Sequence, residues 1–80
     1  MKPRYNGWAN RQTWNVALWL GNDEGMYRQA REWARSTHGR ITASMARDFV
    51  ADMMPYGTPD NVPLSGVRWG EIAADLEELR

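Results

Sequence analysis

The sequence predicts an all-α domain, a compact irregular bundle of four short helices. Three observations carry this: apolar residues recur at three- and four-residue intervals, good capping residues stand before the periodic segments, and Gly and Pro fall in clusters between them. With 80 residues there is room for one domain, residues 1–80.

Asn10 is placed to N-cap a first helix over 11–20, and Gly21 is expected to end it. Trp14, Val16, Ala17, Leu18, Trp19 and Leu20 make that helix apolar nearly all round, so it is expected at the centre with the other three packed about it. Asn15 reads as a satisfied buried amide, with a surface position as the other option. Asn22 or Asp23 caps a second helix that runs to about Ser36, with Glu24 in the first turn where the helix dipole favours an anion. Met26, Tyr27, Ala30, Trp33 and Ala34 form its buried stripe, while Arg28, Arg31 and Arg35 share an outward one.

The segment Thr37-His38-Gly39-Arg40 reads as a turn, with Gly39 free to take a left-handed backbone. Thr42 caps a third helix over 43–54, whose apolar face is Met45, Ala46, Phe49, Val50 and Met53, and Pro55 stops it. Residues 55–66 carry three prolines and two glycines and read as an ordered surface loop pinned by Tyr56, Val62 and Leu64. The last helix, 69–79, places Trp69, Ile72, Ala73, Leu76 and Leu79 inward and Glu71, Asp75 and Glu78 on an acidic outer face.

The core of so short a chain needs large side chains, and five Trp, three Tyr, one Phe and five Met are expected to fill it. The absence of cysteine excludes disulfides and thiolate chemistry and fits a reducing compartment. The longest apolar run, Val16 to Leu20, is far short of a membrane span, and no apolar signal segment follows Met1, so the cytoplasm is the expected location.

A net charge of zero conceals an asymmetry. Residues 1–40 hold seven basic and three acidic side chains, and residues 41–80 hold three basic and seven acidic. The first half is therefore +4 and the second −4, a distribution that can orient a partner during encounter.

Catalysis finds little support, because the one histidine, His38, lies in a turn and no serine sits in a nucleophile elbow. No cofactor and no metal is expected: Glu71, Asp75 and Glu78 read as a solvated stripe. The arginines at 28, 31, 35 and 40, beside Trp33, Tyr27 and His38, can hold phosphates and stack bases. Against direct nucleic-acid binding stand a pI near 6.6 and the acids Asp48 and Asp52 on the helix that would enter a groove. The preferred reading is a protein contact through Arg28, Arg31, Arg35 and Arg40, with Asp75 and Glu78 on a second face.

The segment from Tyr5 to Asp23, with Asn6-Gly7-Trp8, Asn10, Thr13-Trp14-Asn15-Val16-Ala17-Leu18-Trp19 and Asn22-Asp23, resembles the opening of short uncharacterised proteins carried by phages and mobile elements. Val67-Arg68-Trp69-Gly70-Glu71-Ile72 is similar to the start of their last helix, where Asp or Asn commonly precedes the Trp and this chain has Arg68. The resemblance implies an accessory factor that interferes with host defence, of the anti-CRISPR type, binding a host protein or ribonucleoprotein effector complex stoichiometrically. A small nucleic-acid-binding regulator is the alternative it leaves open, and oligomeric state is not implied.

Overall fold

The structure is a computed structural model in which residues 6–80 are described. It is all-α, with helices α1 (Arg11–Asn22), α2 (Glu24–Ser36), α3 (Ala43–Met53) and α4 (Trp69–Glu78), and no β-strand among the described residues.

Three helix starts follow the local capping chemistry. Asn10, Asp23 and Thr42 have extended backbones, and their side chains accept the amide of the residue three positions on, which satisfies one orphan donor in each case. The expected stop at Gly21 does not occur. The helix continues to Asn22, and Asp23 then serves both helices: its amide donates to the Trp19 carbonyl at 3.1 Å, and its carboxylate accepts the Met26 amide at 2.9 Å. A strong cap two residues beyond a permissive glycine fixes the boundary, so the freedom of Gly21 goes unused.

The centre of the bundle is α4, which packs on α1, α2 and α3, and not α1 as its apolar composition suggested. The buried set is aliphatic and mostly small: Val16 and Leu20 from α1, Ala30 and Ala34 from α2, Ile41 before α3, Ala46 and Val50 within it, and Ile72, Ala73 and Leu76 from α4. Alanines at the contacts let the helix axes approach closely.

The indole rings do not fill this core. Trp8, Trp19, Trp33 and Trp69 pack against its outside and remain partly exposed, and Trp14 is also only partly buried. A body this small has an interior too thin to enclose an indole, which is rarely buried completely in any case. Trp33 lies on Phe49 with ring centroids 4.5 Å apart and planes at 14°, joining α2 to α3 from the rim. Tyr27, placed in the buried stripe by its spacing, is exposed at the edge of α2.

The loop between α3 and α4 is ordered, as its prolines suggested, but by different residues. Val62 is buried and Leu64 half-buried, whereas Tyr56 is 96% exposed and pins nothing. Thr58, itself buried, holds the turn: its backbone amide donates to Val62, its carbonyl accepts from Asn61 and its hydroxyl accepts the Val62 amide. Gly57 has φ +100°, and a Cβ there would sit 2.7 Å from the Val62 carbonyl oxygen, so both the conformation and the space demand glycine.

Packing predicts the ranking of two truncations. Leu76→Ala, at a position with no exposure on the central helix, should cost about 2–5 kcal/mol and bring a marginal domain close to unfolding. Tyr56→Ala should change stability by no more than about 0.5 kcal/mol. Urea unfolding of both variants measures the contrast.

Candidate functional surfaces

The arginine edge of α2 begins with a compensated charge. Arg28 pairs with Glu24 one turn earlier at 2.8 Å, both side chains being largely exposed. Arg31 and Arg35 follow on the same edge, exposed and without an ion pair or hydrogen bond among the described residues. Tyr27 stands four residues before Arg31 and borders them.

Arg40 belongs to a different surface. It lines a hollow of about 270 Å³ between the start of α3 and α4, together with Ile41, Ala43, Gly70, Ala74 and Glu77. His38 is exposed in the turn before it, where Gly39 has the expected left-handed φ of +78°.

The acidic side chains of α4 divide into two kinds. Glu71 and Glu77 act as tethers: Glu71 Oε1 accepts the Ala9 amide at 3.1 Å, and Glu77 Oε2 accepts the amide of buried Ile41 at 2.7 Å. The expectation of a simple solvated stripe therefore fails for Glu71. Asp75 and Glu78 line a second hollow, of about 250 Å³, with Gly7, Trp8, Glu71 and Ala74. Partial burial, and then the neighbouring Glu78 charge, raises the Asp75 carboxyl above its ordinary value. Among the described residues no group of three or more His, Cys, Asp or Glu is arranged to hold a metal ion.

Several long-range polar contacts were invisible to local sequence reasoning. Arg68 makes no side-chain cap for α4; instead its amide donates to the Thr13 hydroxyl at 2.8 Å, and that hydroxyl donates to Asn10 at 2.7 Å. Asn10 in turn donates to the Gly66 carbonyl at 2.7 Å, so the start of α1 organises the start of α4 across 55 or more residues of chain. Arg80 donates from Nε to the Ala34 carbonyl at 3.1 Å and from its guanidinium to the Gly39 carbonyl, where its charge also faces the negative end of α2. No spacing rule pairs residues so far apart.

Asp60 closes the loop onto α1. Its Oδ2 accepts from Asn15 Nδ2 and from Trp19 Nε1, both at 3.0 Å. The Asn15 bond comes first and the Trp19 bond second among the causes that hold the Asp60 carboxyl below its ordinary value. Asn15 is buried as expected but only half satisfied, since its Oδ1 has no hydrogen-bond partner among the described residues.

The two shifted carboxylates predict opposite pH effects. Asp60, depressed in the folded state, contributes stability that is present above 3.8 and is lost as pH falls through the folded value. Asp60→Asn should therefore melt lower than wild type at neutral pH and flatten the acid limb of Tm against pH. Asp75, raised in the folded state, opposes folding once ionised, so Asp75→Asn should raise Tm at pH 7 and lose that advantage below 3.8. Calorimetric melts of the two variants across pH 2–8 check both signs.

Comparison with known protein families matches residues 1–80 to DUF7249, a family of unknown function. No curated protein and no solved structure matches the chain.

Proposed function

We propose that this chain, which belongs to the DUF7249 family, is a non-enzymatic binding protein that covers a working surface of a host-defence effector, in the manner of an anti-CRISPR protein. The observation that carries the binding reading is the free edge of α2, where Arg31 and Arg35 project into solvent beside Tyr27 with no partner among the described residues. Tyr and Arg are the residue types that dominate contact energies at protein interfaces, and a planar guanidinium fits a carboxylate bidentately. The host-defence assignment draws on the sequence resemblance of residues 5–23 alone.

The alternative is a small nucleic-acid-binding regulator using the same arginines. It is weakened by the side chains that would supply stacking and charge: one face of Trp33 is covered by Phe49, and Arg28 is paired with Glu24. Turnover chemistry is the reading with least support, since the one histidine, His38, is exposed in its turn.

Arg31→Glu combined with Arg35→Glu should leave Tm nearly unchanged and remove capture of purified CRISPR effector complexes by the tagged protein. Failure of the unaltered protein to retain any effector, with interference in cells unaffected, rejects the inhibitor reading. Affinity for a DNA or RNA oligonucleotide that drops steeply between about 50 and 200 mM salt would instead support the regulator.

A further inference from the structure

The segment Asn6-Gly7-Trp8 takes no part in the arginine edge, yet it has a chemistry of its own. Asn6 and Gly7 both have left-handed backbones, with φ of +48° and +89°, and both are exposed in the turn ahead of α1. Of the asparagines at 6, 10, 15, 22 and 61, Asn6 alone is followed by glycine. The others are held or hindered. Asn10 bonds to Thr13 and Gly66 through both ends of its amide, Asn15 is buried, Asn22 is the last residue of α1, and Asn61 precedes the β-branched Val62.

A side-chain amide next to a glycine is open to attack by the backbone. The absence of a Cβ removes the group that would hinder approach of the following nitrogen, and a Cβ built at Gly7 would meet nothing within 4 Å, so no neighbour crowds the turn there either. In the reaction the Gly7 nitrogen forms a bond to Asn6 Cγ, the bond from Cγ to Nδ2 breaks, and ammonia leaves with the proton from the Gly7 nitrogen. Water then opens the resulting succinimide at either carbonyl. Cleavage at Cγ gives aspartate, and cleavage at the backbone carbonyl gives isoaspartate, in which the main chain runs through the former side chain. In sum, water is consumed, ammonia is released and a carboxylate is gained.

We propose that Asn6 is a site of spontaneous deamidation, and that its product is a charge switch beside the acidic hollow of α4. Gly7 and Trp8 line that hollow with Glu71, Asp75 and Glu78, so a carboxylate at residue 6 arrives where negative charge is already concentrated. The Asp75 carboxyl is raised there by burial and then by Glu78, and a further anion pushes it the same way. Isoaspartate also lengthens the main chain, three residues ahead of the Ala9 amide that Glu71 accepts. Repulsion and the longer backbone both loosen the turn from α4. Arg31 and Arg35 take no part, so this inference stands independently of the host partner.

Incubation of the purified chain in neutral and in mildly alkaline buffer, followed by digestion and mass spectrometry of the peptides, tests the site. Asn6 should convert several-fold faster than Asn10, Asn15, Asn22 or Asn61, and faster still in the alkaline sample, where the Gly7 nitrogen loses its proton more readily. The product should accept methyl groups from an isoaspartyl methyltransferase. Asn6→Gln, whose longer side chain disfavours ring closure, should abolish both signals. Asn6→Asp, which carries the charge without the rearranged backbone, should melt lower than wild type, and the deficit should shrink in added salt and in an Asp75→Asn background. Conversion at Asn6 no faster than at Asn22 or Asn61 would overturn the site. An Asn6→Asp melt equal to that of wild type would overturn the switch.

Discussion

The fold depends on α4 acting as the acceptor for backbone amides that no helix of their own can satisfy. Ala9 ahead of α1 and Ile41 ahead of α3 both donate to glutamates of α4, 62 and 36 residues away. A buried amide without an acceptor costs on the order of 1–3 kcal/mol, a large share of what so short a chain has in reserve. Helix α4 is thus anchored twice, by its apolar stripe and by its carboxylates, and α1 returns the favour by holding the amide of Arg68 with Thr13. The stretches that lead into α1, α3 and α4 are positioned by these bonds, whereas the middle of the α3–α4 loop is held by its own Thr58, Asp60 and Val62.

The aromatic residues play the part of a rim. With alanines at the helix contacts the core is narrow, and the indoles lie over its margins, where one face is dry and the other is wet. Two of these margins are specified further: the Trp19 N–H is tied to Asp60, and the Trp33 ring is stacked on Phe49. The aromatic content that looked like core filling therefore serves as cladding, which explains how a body this small sequesters aliphatic groups from water while presenting mainly polar and charged groups to its surroundings.

Helix number, caps and most boundaries were legible in the sequence because they rest on interactions within three or four residues. Asn10, Asp23 and Thr42 are examples, each accepting an amide three positions on. What escaped rests on distant partners. The centrality of α4 was hidden because α1 holds the longest apolar run, Val16 to Leu20, whereas centrality is set by how many neighbours a stripe touches. The separation of Arg40 from Arg31 and Arg35 was hidden too, since the chain reverses at Gly39 and carries Arg40 to the α4 side. Likewise nothing local distinguishes Glu71 and Glu77, which are engaged, from Asp75 and Glu78, which are not.

The single residue between α1 and α2 has a consequence for how the surface is registered to the interior. Asp23 ends one helix and begins the next, so the joint has no slack to absorb a change in length. One additional residue there would turn α2 by about 100° about its own axis, since a helical turn takes 3.6 residues. Ala30 and Ala34 would swing out of the interior, and the arginine edge would be carried to a new azimuth on the body. The direction in which the arginines face is thus geared directly to the packing of the bundle, through the backbone of one aspartate.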